Sequence, residues 1–177
     1  KQILSNRPHV QLVEQSNKGL ASARNFGARQ ASGVYFSFLD SDDVIKPQYL
    51  AACAEVLKDP KIKLVYTKAE FFGAREGDWN IPPYEGLKSI LLGNRIPNAV
   101  ALQRSKDFFE LGGFDESFRT HEDWDYWIRL LQNEGDVVCI QDVLFMYRKR
   151  SDGTSLIDQL EREPHRIKED WQKVYNK

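Results

Sequence analysis

The stretch "VYFSFLDSDD", residues 34–43, decides the fold, because β-branched and aromatic residues run directly into three carboxylates. An apolar run of this length and composition predicts a buried strand. Asp40, Asp42 and Asp43 would then lie at one edge of a sheet. Because close like charges repel, the cluster predicts either a positively charged ligand at that edge or a solvated turn that caps the next helix.

The composition is that of one ordinary globular domain. The chain has 177 residues, of which 41% are hydrophobic and 29% charged, and its formal net charge is −1. This balance does not indicate nucleic-acid or anionic-membrane binding, and no apolar run approaches the roughly 20 residues that span a bilayer. Cys53 and Cys139 have no metal-ligand spacing, which favours buried thiols in a cytoplasmic protein.

Segments typical of strands and of helices alternate along the chain, which predicts an α/β domain with a mostly parallel sheet. In the first helix, Leu20, Ala23 and Ala31 predict the buried face. In parallel sheets, ligands bind beyond the carboxyl ends of the strands, where the acidic cluster is expected. The predicted strands are 9–15, 33–40, 61–72 and 98–104, together with 136–148 as one strand or two. The predicted helices are 20–31, 46–59, 83–94, 105–113, 121–135 and 163–177.

Asp40 and Asp42 suit a site for a divalent cation and a diphosphate. Mg²⁺ and Mn²⁺ prefer oxygen ligands, and Mg²⁺ commonly takes only one or two protein carboxylates beside phosphates and water. Lys18 and Arg24, at or near the start of the first helix, could pair with phosphate oxygens, although a solvated surface helix has the same pattern.

A second acidic pair, Glu122 and Asp123, opens the Trp-rich helix. Carboxylates at a helix start either cap it and offset its dipole or take part in catalysis. The pattern alone leaves both interpretations open.

Taken in this order, the motifs resemble those of family 2 glycosyltransferases of the GT-A fold, which are inverting, metal-dependent enzymes that use nucleotide-diphosphate sugars. The resemblance spans about residues 9–155. It is carried by "SNKGLASARNFGARQASGVYFSFLDSDDVIKPQYL" (16–50), "LGGFDESFRTHEDWDYWIRL" (111–130) and "YRKRSDGTS" (147–155).

The resemblance implies a donor site with Mg²⁺ or Mn²⁺. Asp42 would ligate the cation directly, while Asp40 would hold the nucleotide ribose or a water on the metal. Arg24 would contact the nucleotide or the diphosphate, with Lys18 nearby. Arg150 stands where the family often has a histidine near the metal. An arginine cannot ligate a cation but can neutralise a diphosphate, so metal dependence is less firmly implied here.

The resemblance also implies catalytic and acceptor-side residues. Asp123 would be the catalytic base, with Glu122 beside it, and would take the proton of an acceptor hydroxyl as the oxygen attacks the anomeric carbon. One direct attack would invert that centre. Gly113, Phe114 and Trp124 would border the sugar and acceptor pocket, although Trp124 also fits a helix core.

The sequence opens at Lys1 without the strand–helix–strand unit, on the order of 40 residues, with which the family usually begins. A truncated or incompletely described transferase is therefore expected. We predict a transferase domain at 1–160, with a nucleotide-binding part at about 1–72 and an acceptor-side part at about 73–160, followed by an amphipathic helix at 161–177.

The predicted function is hexosyl or N-acetylhexosaminyl transfer from a nucleotide-diphosphate sugar, with UDP-sugars favoured. The expected acceptor is a hydroxyl of a glycan or a lipid-linked precursor in bacterial cell-surface polysaccharide synthesis. The expected location is the cytoplasm or the inner face of the membrane, with no nucleic-acid partner. Two alternatives stay open: a nucleotidyltransferase of related fold, and a carbohydrate-binding or scaffold domain without activity.

Overall fold

Two long parallel strands form the centre of the sheet. The computed structural model describes residues 9–97, 99–133, 135–155 and 164–176. The strands in these ranges are β1 (Tyr35–Phe36), β2 (Val44–Ile45), β3 (Ile62–Gly73), β4 (Gly77–Trp79), β5 (Leu102–Arg104) and β6 (Asp136–Lys149). The helices are α1 (Leu20–Gln30), α2 (Tyr49–Val56), α3 (Leu87–Leu91), α4 (Ser105–Glu110), α5 (Glu122–Leu131) and α6 (Pro164–Tyr175).

The described strands form one sheet in the order β1-β5-β3-β6-β2, with β4 paired to β3. Only β3 and β6 pair in parallel within these ranges, with Val65 opposite Val138 and Phe71 opposite Tyr147. The remaining pairs are antiparallel. The expectation of a mostly parallel sheet is therefore wrong. Apolar periodicity locates strands but does not set their direction, and β4 returns beside β3 after a three-residue connection.

The predicted strand at 9–15 is also wrong. This segment is irregular in the structure, and Val10 and Leu12 are 44% and 51% exposed. An alternating pattern produces a strand only where a neighbouring strand pairs with it, and no described strand lies against this segment. The other predicted strands and helices are present, most of them shorter than expected. The α/β class is confirmed.

The core has two parts. One lies under α1, α4 and α5 and is rich in aromatic side chains, and the other lies under α2. Leu64 and Val65, adjacent on β3, belong to different parts because side chains alternate across a strand. Cys53 is fully buried as predicted, whereas Cys139 is only half-buried, and both are free thiols.

Helix α1 buries a more polar face than the sequence predicts. Ala23 is exposed, while Ser22, Arg24 and Asn25 are buried. Asn25 Nδ2 donates to the carbonyl of Phe114 (2.8 Å), and the N–H of Phe114 donates to Asn25 Oδ1 (2.9 Å). This pair of hydrogen bonds fastens α1 to the turn that follows α4, so polar contacts take the place that apolar packing was expected to have.

No helix in the described ranges is both long enough and apolar enough to cross a membrane.

Gly113 sits where a side chain does not fit. Its φ is +75°, and a Cβ there would lie 2.6 Å from Asn25 Oδ1 and 3.2 Å from the ring of Phe108. We expect Gly113→Ala to lower the free energy of unfolding by about 3 kcal/mol, from left-handed strain and overpacking together. Gly112→Ala is the matched control, because its φ is +77° but no atom lies within 4 Å of its Cβ. It should lose only about 1–2 kcal/mol. Urea unfolding compares the two, and equal losses would contradict the packing argument.

Candidate active site

A cleft of about 1120 Å³ opens beyond the carboxyl ends of β1, β3 and β6. Its lining comes from α1, the acidic stretch after β1, the segment after β4, the loop before α5 and the end of β6. The two acidic motifs that the sequence singles out therefore reach the same cavity, although about 80 residues separate them. Residues of both motifs line it, namely Asp40, Asp42, Glu122 and Asp123.

The acidic stretch is a turn fastened to β6. The N–H of Asp43 donates to the carbonyl of Asp40 (3.1 Å), which closes the turn. The buried carboxylate of Asp43 accepts the N–H of Arg148 (2.8 Å). Asp40 and Asp42, on either side of Ser41, line the cleft. The alternative of a helix cap does not describe this turn, because β2 follows it and the cap position of α2 is Gln48.

Arg24 joins the two acidic motifs. One guanidinium nitrogen donates to Asp40 Oδ1 (2.7 Å), and another donates to Glu122 Oε1. The side chains of Arg24 and Glu122 are only 8% and 4% exposed, so their ion pair is largely shielded from water, whereas Asp40 is 33% exposed. A single guanidinium thus spans the gap between the two carboxylates, which fixes the distance between the acidic turn and the start of α5.

Burial shifts the pKa of both acids at the start of α5. Burial raises the pKa of Glu122 to about 7, the charge of Asp123 adds to the rise, and Arg24 opposes it. Burial also raises the pKa of Asp123, again against the effect of Arg24. A carboxyl group with a pKa near 7, such as that of Glu122, exchanges protons at neutral pH, and the pKa of Asp123 is shifted in the same direction.

The two acids differ in how their oxygens are engaged. Glu122 is 3% exposed and bound to Arg24, whereas Asp123 is partly exposed to the cleft. Asp123 Oδ1 accepts the N–H of Trp124 (2.7 Å), and Asp123 Oδ2 accepts a long hydrogen bond from Asn94 (3.4 Å). Asp123 is therefore the better placed of the two to meet a ligand.

Arg150 is paired with Asp42. Its Nε and Nη2 lie 2.9 and 2.8 Å from Asp42 Oδ2, and its Nη1 donates to Thr154 (3.3 Å). The side chain of Arg148 donates to the carbonyl of Asp42 (2.9 Å). Two guanidinium groups therefore lie at the acidic turn, and guanidinium N–H groups are donors of the kind that binds phosphate oxygens.

The donor atoms present fit a divalent cation that is shared with a phosphate ligand. Asp40 Oδ2 and Asp42 Oδ1 take no part in the ion pairs with the arginines. No group of three or more His, Cys, Asp or Glu side chains arranged to hold a metal occurs in the described ranges. Mg²⁺ is usually bound by one or two carboxylates, and phosphates and water complete its coordination shell. Carboxylate oxygens also suit Mn²⁺.

The structure does not bring all the predicted site residues together. Lys18 is exposed and does not line the cleft. Gly113, Phe114 and Trp124 were expected on the acceptor side, but they lie outside the lining because Phe114 and Trp124 complete the aromatic core. Trp124 is fully buried, and its indole N–H donates to the carbonyl of Ile90 (2.6 Å).

Sequence reasoning missed Asn94, Thr120 and His121 as cleft residues. Asn94 lies far from either motif along the chain, so no local signal marks it. His121 has a φ of 61°, the one non-glycine residue with a positive φ in the described ranges. The position of His121 directly before Glu122 and Asp123 was the sequence signal that could have identified it as a cleft residue.

The family model "Glycosyl transferase family 2" matches residues 1–110. An uncharacterized glycosyltransferase of Haemophilus influenzae is 32% identical over 132 residues, covering 71% of this chain and 45% of the relative. A chondroitin synthase of Escherichia coli is 33% identical over 134 residues, covering 71% of this chain and 19% of the relative. The chain thus spans less than half the length of these two proteins.

Solved structures share the fold. S. aureus TarS in complex with UDP-GlcNAc has a TM-score of 0.67 at 18% identity, covering 85% of this chain and 45% of that one. A mannosyltransferase from Pyrobaculum calidifontis, in complex with GDP-Man and Mn²⁺, has a TM-score of 0.62 at 16% identity, covering 93% and 46%. The predicted GT-A fold class is confirmed, apart from the strand directions corrected above.

Glu122 should make folding stability depend on pH. Its pKa is raised from 4.5 to about 7 in the folded state, so that state holds the proton more tightly than the unfolded chain does. The stabilisation is complete below pH 4.5 and is lost as pH rises toward 7. We expect the unfolding free energy of the wild type, relative to Glu122→Gln, to fall between pH 5.5 and 8 in urea titrations.

The control for this titration is Glu116→Gln. The pKa of Glu116 is lowered, chiefly by a hydrogen bond from Asn25, so this group is ionised in both states above pH 5.5. Its difference from the wild type should be flat over the same range. A flat difference for Glu122→Gln as well would refute the raised pKa.

Proposed function

Because this chain belongs to glycosyl transferase family 2, we propose that it transfers a sugar from a nucleotide-diphosphate donor to a hydroxyl group of an acceptor. The observation that carries the proposal is the bridge from Asp40 through Arg24 to Glu122. The bridge joins a candidate diphosphate site to a candidate base across one cleft. Direct displacement at a sugar carbon requires that both groups reach the same sugar.

We assign the donor phosphates to the acidic turn. Asp42 and Asp40 would hold Mg²⁺ or Mn²⁺, and Arg150 would contact the diphosphate from the other side. A bound cation supplies Lewis-acid stabilisation of the charge that develops on the leaving diphosphate. Arg24, whose donors are engaged with Asp40 and Glu122, would act on the donor chiefly by holding Asp40 in place.

A UDP-sugar is the proposed donor. The similar TarS was solved with UDP and with UDP-GlcNAc, whereas the similar mannosyltransferase was solved with GDP-Man and Mn²⁺. These complexes support a nucleotide sugar and a divalent cation. UDP and an N-acetylhexosaminyl group are the finer choices within that class, with a hexosyl group as the alternative.

We propose Asp123 as the base. Its carboxylate borders the cleft, and among the described residues Asp123 Oδ2 is held only by the long hydrogen bond from Asn94. This oxygen would take the proton of the acceptor hydroxyl while the hydroxyl oxygen attacks the anomeric carbon. Direct attack from the side opposite the diphosphate inverts the anomeric centre. Glu122, bound to Arg24, would orient the pair.

The acceptor is proposed to be a glycan or a lipid-linked glycan precursor. The similarity to a chondroitin synthase supports a polysaccharide role. The division into a nucleotide-binding part at 1–72 and an acceptor-side part at 73–160 stays a prediction, as does a cytoplasmic location. Consistent with that division, Asp40 and Asp42 come from the first part and Asp123 from the second.

Replacing the base should stop turnover without preventing donor binding. We expect Asp123→Asn to lower the rate of UDP-GlcNAc hydrolysis or transfer by about 10²–10⁴-fold. The dissociation constant for UDP should change by less than about 2-fold, because an amide preserves the shape of the side chain. UDP release and calorimetric titration measure the two quantities on the same preparation.

Equal losses of UDP binding and turnover in Asp123→Asn would contradict the role as base. A wild-type chain that binds several nucleotide sugars but turns none of them over would favour the binding-domain alternative.

Replacing the proposed metal ligand should remove the cation dependence of nucleotide binding. We expect UDP to bind the wild type at least about 10-fold more tightly with MnCl₂ than with EDTA, and Asp42→Ala to lose most of that difference. Asp142→Asn is the control, because Asp142 is exposed on β6 and does not line the cleft. An Asp42→Ala variant with the full response to MnCl₂ would place the cation elsewhere.

A further inference from the structure

Helix α6 is bound to the loop that carries the candidate base. Asp170 of α6 is only 3% exposed, and its Oδ2 accepts the backbone N–H groups of Arg119 (3.1 Å) and Thr120 (2.9 Å). Its Oδ1 accepts from Lys173 (3.0 Å), which also donates to the carbonyl of Ser117 (2.9 Å). One buried carboxylate therefore holds the loop three residues before Asp123, with its charge balanced on the helix itself.

Side chains extend this link into a chain of hydrogen bonds. The indole N–H of Trp171 donates to Nε2 of His121 (3.2 Å), and His121 Nδ1 lies 2.6 Å from Thr120 Oγ1. Thr120 Oγ1 lies 3.2 Å from Asp170 Oδ2. This series of hydrogen bonds thus starts and ends on α6 and passes through Thr120 and His121, the two residues that precede the acidic pair.

Only one assignment of donors and acceptors is possible in this series of hydrogen bonds. An indole nitrogen can only donate, and an ionised carboxylate can only accept. His121 must therefore accept at Nε2 and carry its proton at Nδ1, from which it donates to Thr120, and the Thr120 hydroxyl then donates to Asp170. A cationic imidazole would place a second hydrogen against the indole N–H and break the chain.

The backbone at His121 needs such support. Its φ of 61° is a left-handed conformation that costs a residue with a side chain about 1–2 kcal/mol. This turn directs the chain into α5, and the very next residues are Glu122 and Asp123. The direction in which Asp123 enters the cleft therefore depends on a strained residue that two side-chain hydrogen bonds hold in place.

We propose that Thr120, Asp170 and Trp171 are positioning residues that fix His121 as the neutral Nδ1–H tautomer and thereby aim Asp123 into the cleft. We call the hydrogen bonds that join Thr120, His121, Asp170 and Trp171 the clamp. The effect of the clamp on Asp123 as a base rests on the proposed function, whereas the existence of the clamp does not. The acceptor side of the site is then built in part by a helix that begins about 40 residues after the base.

Two further observations agree with the clamp. Burial lowers the pKa of His121, and although the nearby charges of Asp123 and Asp170 oppose that effect, the neutral form is favoured. Trp171 and Tyr175 also pack their rings against Trp124 of α5, with centroids 5.0 and 5.9 Å apart. Helix α6 therefore contacts the chain on both sides of the strained turn, at Thr120 before it and at Trp124 after it.

The test uses the full chain and variants that remove one hydrogen bond each. Thr120→Val deletes the hydroxyl at nearly constant shape, Thr120→Ser restores it, and Trp171→Phe deletes the indole N–H. Tyr175→Phe is the matched control on the same helix, because it keeps the ring beside Trp124. In a background with His9 and His165 changed to Gln, the ¹⁵N shifts of the remaining imidazole report its tautomer and charge.

In the unaltered clamp we expect a neutral Nδ1–H imidazole at pH 7. Thr120→Val and Trp171→Phe should produce mixed tautomers and faster amide exchange at Glu122 and Asp123. They should also lower kcat for UDP-GlcNAc hydrolysis by roughly 10- to 100-fold, with KM for the donor changed less than about 2-fold. Thr120→Ser should recover most of the rate, and Tyr175→Phe should resemble the wild type.

A cationic or Nε2–H imidazole in the unaltered protein would overturn the clamp. If the Thr120→Val and Trp171→Phe variants unfold more easily but keep the kcat of the wild type, α6 stabilises the fold without positioning Asp123, and the proposal is wrong. If the wild type turns over no nucleotide sugar, the proposed function fails on its own, and the ¹⁵N shifts and amide exchange still decide whether the clamp exists.

Discussion

The site depends on one buried cation, the guanidinium of Arg24. It pairs with Asp40 on the turn after β1 and with Glu122 at the start of α5. A buried charge is tolerated only when it is paired and hydrogen-bonded, so the three side chains require one another. This mutual requirement brings the two acidic motifs to a common cleft more directly than apolar packing does. The pKa values of Glu122 and Asp123 are raised chiefly by burial, and the positive charge of Arg24 opposes that rise.

The same interaction explains where reasoning from the sequence succeeded and where it failed. The acidic turn, the order of the motifs and most strands and helices could be predicted, because apolar periodicity and short polar motifs are local signals. The buried face of α1 could not be predicted. A helix is expected to bury its apolar stripe, but this one buries Arg24 and Asn25, which bind Glu122 and Phe114, 98 and 89 residues away in the chain.

The topology of the sheet was the other feature that could not be predicted from the sequence. The sequence marks β3 and β6 as strands, but nothing within either segment states that they pair in parallel, or that β5 runs antiparallel between β1 and β3. The failed strand at 9–15 has the same origin, since pairing is a property of two segments and alternation a property of one. Similarly, Trp124 was a candidate sugar contact by its motif, but the space around it is filled by α5, α6 and the carbonyl of Ile90.

The hydrogen bond from Arg148 to Asp43 has a consequence for how this site can change over evolutionary time. It anchors the end of β6 to the acidic turn immediately before the chain leaves the sheet. Insertions or deletions after Lys149 would leave the backbone of the turn in place, whereas an exchange of Arg150 would also remove the ion pair on Asp42. The length of the segment after Lys149 can therefore vary while β6 keeps the acidic turn fixed to the sheet.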